Sequence, residues 1–255
     1  FSFGLPVQAS SGLEEVIVTA RKKSESIQST PVAVTALTEE MLLEQQVVAI
    51  GDLKRTAPNL SIMEGGTGSA ALVFIGIRGN AQTAPNAAAD PAVGTYIDGI
   101  YFARPTGGNL DLFDVQRAEV LRGPQGTLFG RNTTGGALNI FTNQPVGEYE
   151  GYIRGEVGNY DHNRIEAVLN VPLDGDQLAA RLAVRYNERD GYGDYRGYSD
   201  PAGFVWEGLN QEGSKIKENV YARGTLLWAP DESNFQATLS GWYSNYEDTG
   251  QRTEV

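Results

Sequence analysis

Residues 117–142 read R-A-E-V-L-R-G-P-Q-G-T-L-F-G-R-N-T-T-G-G-A-L-N-I-F-T, and this stretch decides the fold. It opens and closes with short apolar runs, 117–121 and 137–141, whose length is typical of strands. The turn residues between them are interspersed with glycines, which tolerate tight turns and the close approach of another backbone. We predict a positive φ at Gly126 and Gly135, where a β-branched substitute would be costly. The glycines expected to be structural are Gly123, Gly126, Gly130, Gly135 and Gly136.

Far upstream, residues 14–20 read E-E-V-I-V-T-A. A β-branched segment of this kind is suited to pair as an extra strand on the edge of another protein's sheet. It is the apolar island of an otherwise polar stretch, residues 10–28, which we predict to be a mobile periplasmic tail. Residues 1–9, F-S-F-G-L-P-V-Q-A, are similar to the end of a signal peptide, with the small residues Val7 and Ala9 at positions −3 and −1 of the expected cleavage site. The alternative is a disordered N-terminal tail.

In this order, the two segments resemble the TonB box and plug domain of TonB-dependent outer-membrane receptors. The resemblance covers residues 14 to 145 and implies an α+β plug domain, expected over residues 29–148. It also implies that the C-terminal domain of TonB, working with ExbB–ExbD, pairs with the box. The residues that would bind TonB are Glu14, Glu15, Val16, Ile17, Val18, Thr19 and Ala20.

Local signals support an α+β domain in this region. Thr38 is a good N-cap, and the two acidic residues after it complement the helix dipole, so we predict a helix over 38–46. A second short helix is predicted over 50–56, because Pro58 pushes the residue before it out of the α region. Further strands are predicted over 72–77 and 93–97, and Asp98-Gly99 predicts a tight hairpin turn.

From residue 149 the pattern changes to a period of two. Segments of about ten residues with one apolar and one polar face are typical of transmembrane β-strands, although a soluble β-sandwich gives the same alternation. Short and long connections alternate, which favours periplasmic turns and external loops. Because plugged transporters of this kind have about 22 strands, residues 149–255 are expected to be the first five strands of an incomplete barrel. The segments are 151–158, 164–171, 178–187, 218–228 and 234–243.

Composition restricts the function. The chain has no cysteine and one histidine, which excludes thiol catalysis and clusters of cysteine or histidine around a metal ion. The net charge of −12 and the lack of a long basic run argue against nucleic acid. We find no phosphate-binding loop and no nucleophile elbow. No enzyme activity, cofactor or metal site is predicted.

Candidate site residues fall into two groups. Arg78, Glu119 and Arg122 are either surface charges or, as the resemblance implies, plug residues that pair with the barrel wall, since buried charges need partners. Loop residues 80–91 and 102–108 are candidates for facing cargo, and the aromatic residues of loop 190–217 either stack on cargo or lie at the membrane interface. The predicted cargo contacts are Asn86, Asp90, Arg104, Tyr192, Tyr195 and Trp206.

Three functional classes remain open. An energised importer explains the box, the plug and the strands. A passive porin-like channel or adhesin explains only the strands, and a secreted enzyme lacks a catalytic set. The expectation is a monomeric receptor in the outer-membrane lipid of a Gram-negative bacterium. Its expected cargo is a ferric siderophore or another iron complex, with cobalamin, an oligosaccharide or another organic nutrient as alternatives.

Overall fold

Two separate five-stranded sheets form most of the molecule. We call the mixed sheet formed by the N-terminal region the plug sheet, and the antiparallel sheet formed by the C-terminal region the wall sheet. The computed structural model describes residues 17–19, 22–23, 25–64, 73–81, 90–102, 112–191, 193–195, 211–213, 216–231 and 233–248.

The N-terminal region alternates short strands with short helices, as an α+β domain does. Its elements are β1 (Ile17–Val18), β2 (Glu25–Ser26), β3 (Ala33–Thr38), α1 (Glu39–Glu44), a 3-10 helix (Ile50–Arg55), β4 (Leu60–Glu64), β5 (Val73–Ile77), β6 (Asn80–Ala81), β7 (Val93–Ile97), β8 (Ile100–Phe102), β9 (Val115–Arg122), α2 (Gly126–Phe129) and β10 (Gly136–Thr142).

Both predicted helices begin where their caps place them. The Thr38 side chain accepts a hydrogen bond from the Met41 amide, so α1 starts at the expected residue. The second helix is of the 3-10 type, and the Asp52 carboxylate accepts hydrogen bonds from two amides that precede it, at 3.0 and 3.1 Å. These bonds satisfy donors that a helix start leaves open.

The plug sheet has the order β3-β9-β10-β7-β8. β10 lies at its centre, antiparallel to β9 and parallel to β7. One face of the sheet packs against the helices through a core that includes Leu53, Val120 and Leu138. The predicted turn at Asp98-Gly99 joins β7 to β8, and both residues have positive φ, as the tightest hairpin turns require.

The opposite face of the plug sheet carries the N-terminal hairpin β1–β2. Ile17 pairs with Ser26 and Val18 pairs with Glu25. Val18 is completely buried in a cluster with Leu121 and Ala137. The prediction of a mobile tail over residues 10–28 is therefore wrong for its described part, because an apolar side chain is more stable in this cluster than in water.

The five predicted C-terminal strands form the wall sheet. Its strands are β11 (Glu150–Gly158), β12 (His162–Asp174), β13 (Leu178–Arg189), β16 (Ile216–Trp228) and β17 (Ala237–Asp248), each antiparallel to the next. A separate small hairpin, β14 (Gly193–Tyr195) with β15 (Gln211–Gly213), stands in the long connection between β13 and β16. Its strands lie within loop 190–217, where we predicted no strand.

The wall sheet has its polarity reversed relative to a soluble sandwich. Its apolar side chains face outward and are exposed: Ile153 by 82%, Val157 by 83% and Leu239 by 73%. On the other face, the charged side chains of Glu166, Arg181, Arg185 and Arg223 are buried, and Arg185 is only 2% exposed. An exposed apolar face on alternating strands is typical of a barrel wall in lipid. Among the described residues, no helix is long and apolar enough to cross a membrane.

The predicted positive φ angles in the glycine-rich segment are wrong. Neither Gly126 nor Gly135 has a positive φ; Gly123 and Gly130 do. Gly130 combines φ 84° with ψ −154°, a region that is essentially restricted to glycine. Gly136 is required for a different reason, since a Cβ there would lie 2.2 Å from the carbonyl oxygen of Leu121 on β9.

Gly136→Val should therefore prevent β10 from pairing with β9. We expect a loss of about 3 kcal/mol or more, because the atom in the way belongs to the backbone and cannot turn aside. The measurement is the amount of folded receptor in the outer membrane, together with its thermal melting. Gly126→Ala is the matched control, since nothing lies within 4 Å of a Cβ there. Equal amounts of folded protein for both variants would contradict the close-approach argument.

Candidate functional site

The plug is joined to the wall sheet by one buried carboxylate, that of Asp114. Arg181 of β13 donates to it from Nη2 at 2.6 Å and from Nε at 3.1 Å, and Arg223 of β16 donates from Nη2 at 2.5 Å. The Asp114 side chain is completely buried, and the two arginine side chains are 9% and 5% exposed. A plug anion thus neutralises two wall cations away from water.

Neighbouring groups complete this cluster. Arg223 also donates to the backbone oxygen of Asp114 at 2.9 Å, and Asn143 donates to the Asp114 carboxylate at 3.0 Å. Next to Asp114, the Phe113 ring packs edge-on against Tyr221 with ring centroids 6.4 Å apart. The Arg185 guanidinium lies 5.8 Å from the centre of the same ring. Apolar and charged contacts therefore fix the same short segment to the wall.

Sequence reasoning missed Asp114 as a plug–barrel contact. The signal that could have found it is indirect: strand alternation places Arg181, Arg185 and Arg223 on the polar face of their strands. Buried cations on such a face require an anion. The sequence does not indicate which of the plug's acids supplies it.

Glu119 was predicted to contact the wall, but the hydrogen bonds of its carboxylate among the described residues lie within the N-terminal region, so the wall contact stays a prediction. Its carboxylate accepts hydrogen bonds from the Thr19 amide at 2.8 Å and from Arg117 Nε at 2.9 Å, both within the N-terminal region. Glu119 is completely buried. It joins the N-terminal strand to the plug sheet because alternation along β9 points it to the face that carries β1.

Arg78 and Arg122 form no ion pair with a wall strand among the described residues. Arg78 is exposed with a φ of 54°, and its amide donates to the Asn59 oxygen. Arg122 is half-buried, and its Nε has no hydrogen-bond partner there. Their assignment as plug–barrel contacts stays a prediction.

Three of the seven predicted TonB-binding residues are described. Ile17 is 46% exposed, Val18 is buried, and Thr19 bonds to Glu119 through its amide and its hydroxyl. The segment is thus extended, as pairing with a partner requires, but Val18 and Thr19 already contact the plug. The four others, Glu14, Glu15, Val16 and Ala20, lie outside the described residues.

Asn132 connects the edges of two predicted cargo loops. Its Nδ2 donates to the Tyr101 hydroxyl at 2.8 Å and to the exposed Asp90 carboxylate at 3.3 Å. Asp90 ends one loop and Tyr101 precedes the other. Asn86, Arg104, Tyr192 and Trp206 lie outside the described residues, and of Tyr195 only the backbone, in β14, is described.

Beside this bridge, Tyr96 donates its hydroxyl to the Phe129 carbonyl oxygen at 2.6 Å. Burial, and then the nearby Tyr101, raise the pKa of Tyr96 above its ordinary value. The hydroxyl therefore keeps its proton and remains a donor. Among the described side chains, no group of three or more acids or histidines is placed to hold a metal ion.

Comparison with known proteins identifies this arrangement. Residues 26–137 match the TonB-dependent Receptor Plug Domain family. The chain belongs to the TonB-dependent outer-membrane receptors. Proteins of this family lie in the Gram-negative outer membrane, which places the wall sheet in that membrane.

Individual receptors agree with the family match. The chain is 34% identical over 178 residues to the pesticin receptor of Yersinia pestis, covering 69% of this chain and 25% of that protein. It is 26% identical over 185 residues to the vitamin B12 transporter BtuB of Vibrio cholerae, covering 70% of this chain and 28% of that protein. The chain thus spans about a quarter of the length of these curated relatives.

A solved receptor shows the same fold. The structure of the ferric yersiniabactin uptake receptor FyuA from Yersinia pestis superposes with a TM-score of 0.70 at 29% identity. The match covers 83% of this chain and 31% of that chain. Plug and first wall strands are therefore arranged in this receptor as in FyuA.

Asp114→Asn should weaken the attachment of the plug by about 3 kcal/mol, because two buried arginines would lose their anion. The measurement is the urea midpoint at which the plug of the full-length receptor becomes sensitive to protease. The control is Glu150→Gln, since Glu150 also contacts Arg181, at 3.4 Å, but is 54% exposed. That change should cost less than about 1 kcal/mol. Equal midpoints for the two variants would show that Asp114 is not the principal contact.

Proposed function

We propose that the full-length receptor imports a scarce metal chelate across the outer membrane with energy supplied through TonB and ExbB–ExbD. Cargo binds outside, between the apical loops of the plug and the loops of the wall. TonB then pairs with residues 14–20 and remodels the plug. No covalent step on the cargo is required.

The observation that carries this proposal is the Asp114 cluster. A passive channel needs an open lumen, but here the inner face of the wall is bound to a plug through a buried anion between two cations. Breaking such a pair is costly. A plug that is held this firmly favours an importer that is opened by applied energy over a pore that is always open.

For the cargo, we propose a ferric siderophore or a related iron complex. Support comes from FyuA, which is named as a ferric yersiniabactin uptake receptor and is 29% identical to this chain. The alternative is an organic nutrient such as cobalamin, which a more distant relative at 26% identity is named for. Uptake of radiolabelled ferric yersiniabactin and of cobalamin by cells that express the full-length receptor separates the two.

Ile17→Pro should abolish uptake and leave binding of ferric yersiniabactin unchanged. Proline lacks the amide donor and resists strand pairing, so TonB could not add its strand at this point. Uptake and equilibrium binding are measured on the same cells. Ile17→Val is the control, because valine keeps the strand preference. Normal uptake by the proline variant would remove this segment from the mechanism.

We further propose that cargo selection lies in the loops that Asn132 joins and in the connection between β13 and β16. The contacting residues would be Asn86, Asp90, Arg104, Tyr192, Tyr195 and Trp206. Support comes from the position of Asn132 between the ends of two of these segments.

Arg104→Ala should lower the affinity for ferric yersiniabactin about tenfold, a loss of about 1.4 kcal/mol, without changing surface abundance. A cation in the loop would bind an anionic chelate. Lys54→Ala, in the 3-10 helix, is the control for removal of a positive charge elsewhere in the plug. Unchanged affinity for the Arg104 variant would assign recognition to other loops.

A further inference from the structure

Besides the burial of Val18, the described part of segment 14–20 is held on the plug by hydrogen bonds that converge on one buried oxygen atom. Oε1 of Glu119 accepts from the Thr19 amide at 2.8 Å, from the Thr19 hydroxyl at 3.2 Å and from Arg117 Nε at 2.9 Å. The Glu119 side chain is completely buried. Hydrogen bonds to a charged acceptor are the stronger kind, so this contact is stronger than an ordinary backbone pairing.

Arg117 contacts Thr19 as well as Glu119. Its Nη2 donates to the Thr19 hydroxyl at 3.2 Å, and its guanidinium lies 3.8 Å from the centre of the Phe141 ring. It also bonds to Gln116. Ring, carboxylate and hydroxyl therefore fix the guanidinium in one position, and Thr19 is bound to both members of an ion pair.

These contacts occupy groups that a partner strand would need. The Thr19 amide points at Glu119, the backbone of Ile17 and Val18 is paired with β2, and the Val18 side chain is buried on the plug. TonB can form its full set of main-chain hydrogen bonds only after Thr19 leaves the carboxylate.

We propose that Thr19, Arg117 and Glu119 form an N-terminal lock that sets how often the TonB-binding strand is free. The proposal rests on the function proposed above, in which this strand is the segment that TonB binds. In the locked state the strand lies on the plug sheet. In the free state Glu119 and Arg117 keep each other as partners and the strand is available to TonB.

Two missing hydrogen bonds lower the free energy that is needed to release the strand. Oε2 of Glu119 and Oδ1 of Asn139 are buried and have no hydrogen-bond partner among the described residues. The two residues face each other in the β9–β10 register. Buried acceptors without partners reduce stability, so the locked state is less stable than a fully bonded one would be. Release of the strand would admit water to both oxygens.

Arg117 also has access to an alternative environment. It lines a cavity of about 730 Å³ between the plug and strands β16 and β17, together with Thr142, Gln144 and Trp242. Polar groups on that surface and water in the cavity can solvate the guanidinium when Thr19 departs. The free state therefore leaves no buried cation without partners.

The test uses reporter cysteines, because none of the 255 residues is a cysteine. Ile17→Cys and Val18→Cys are made separately in the full-length receptor, purified in detergent without cargo, and labelled with a water-soluble maleimide. Ile17 is 46% exposed and Val18 is completely buried, so the first should label at least about tenfold faster. Val18→Cys then reports the free state.

Glu119→Gln should raise the labelling rate of Val18→Cys about tenfold, which corresponds to about 1.4 kcal/mol. Thr19→Val removes only the hydroxyl contacts and keeps the amide bond to Glu119, so it should raise the rate by a smaller factor. It alters no residue of the plug sheet, so it separates weakening of the lock from misfolding of the plug. The control is Glu40→Gln, which removes an exposed acid of α1. That variant should label like the parent, and thermal melting checks that all three are folded.

A second measurement is the affinity of the isolated TonB C-terminal domain, which should rise for Glu119→Gln by a similar factor. Unchanged labelling of Val18→Cys in both the Thr19 and the Glu119 variant would overturn the lock. If labelling rises but the TonB domain binds neither parent nor variant, the lock stands and the proposed partner is wrong. The two proposals therefore fail in distinguishable ways.

Discussion

The structure depends on the neutralisation of the arginines that line the inner face of the wall sheet. Lipid requires the outer face of a transmembrane strand to be apolar, so strand alternation directs the polar side chains inward. Arg181 and Arg223 are buried there and need an anion. Asp114 supplies it, and the plug is attached to the wall for that reason. Other contacts near it, such as Phe113 against Tyr221, add apolar area to a position that the charges have fixed.

Two buried carboxylates of the plug are bonded to different degrees. Asp114 has both oxygens occupied, by two arginines and an asparagine. Glu119 has one oxygen without a partner among the described residues. Since an unsatisfied buried acceptor is costly, the contact at Glu119 is the weaker of the two. On the proposals above, the N-terminal strand would be released at a free energy that leaves the plug bound to the wall.

The glycine-rich segment supports both contacts through the backbone. β10 pairs with β9 on one side and β7 on the other, and Gly136 permits this because no side chain stands against the Leu121 carbonyl. Correct pairing places Asn139 opposite Glu119. The same segment carries Asn132 to the ends of two loops that we propose to contact cargo. The close approach of two backbones at Gly136 therefore helps to determine where Asn132, Asn139 and Glu119 lie.

The sequence by itself determined the elements with strong local causes. Thr38 and its acidic neighbours specify the start of α1, Asp98-Gly99 specifies a hairpin, and the period of two specifies the five wall strands. It did not predict β3 or β4, whose weakly apolar residues become strands only by pairing with β9 and β5. This is expected, because strand formation depends on neighbours more than helix formation does.

Only the tertiary structure decided which residues meet. The sequence named three charged plug residues as barrel contacts, but among the described residues Glu119 bonds to the N-terminal strand, whereas Asp114 reaches the wall. Likewise, residues 14–20 indicated a strand for a partner, while the burial of Val18 and the bond from Thr19 to Glu119 became visible only in the fold. Periodicity determines the face on which a side chain lies. Its partner comes from a strand distant in the chain, and that pairing is set by the packing of the whole domain.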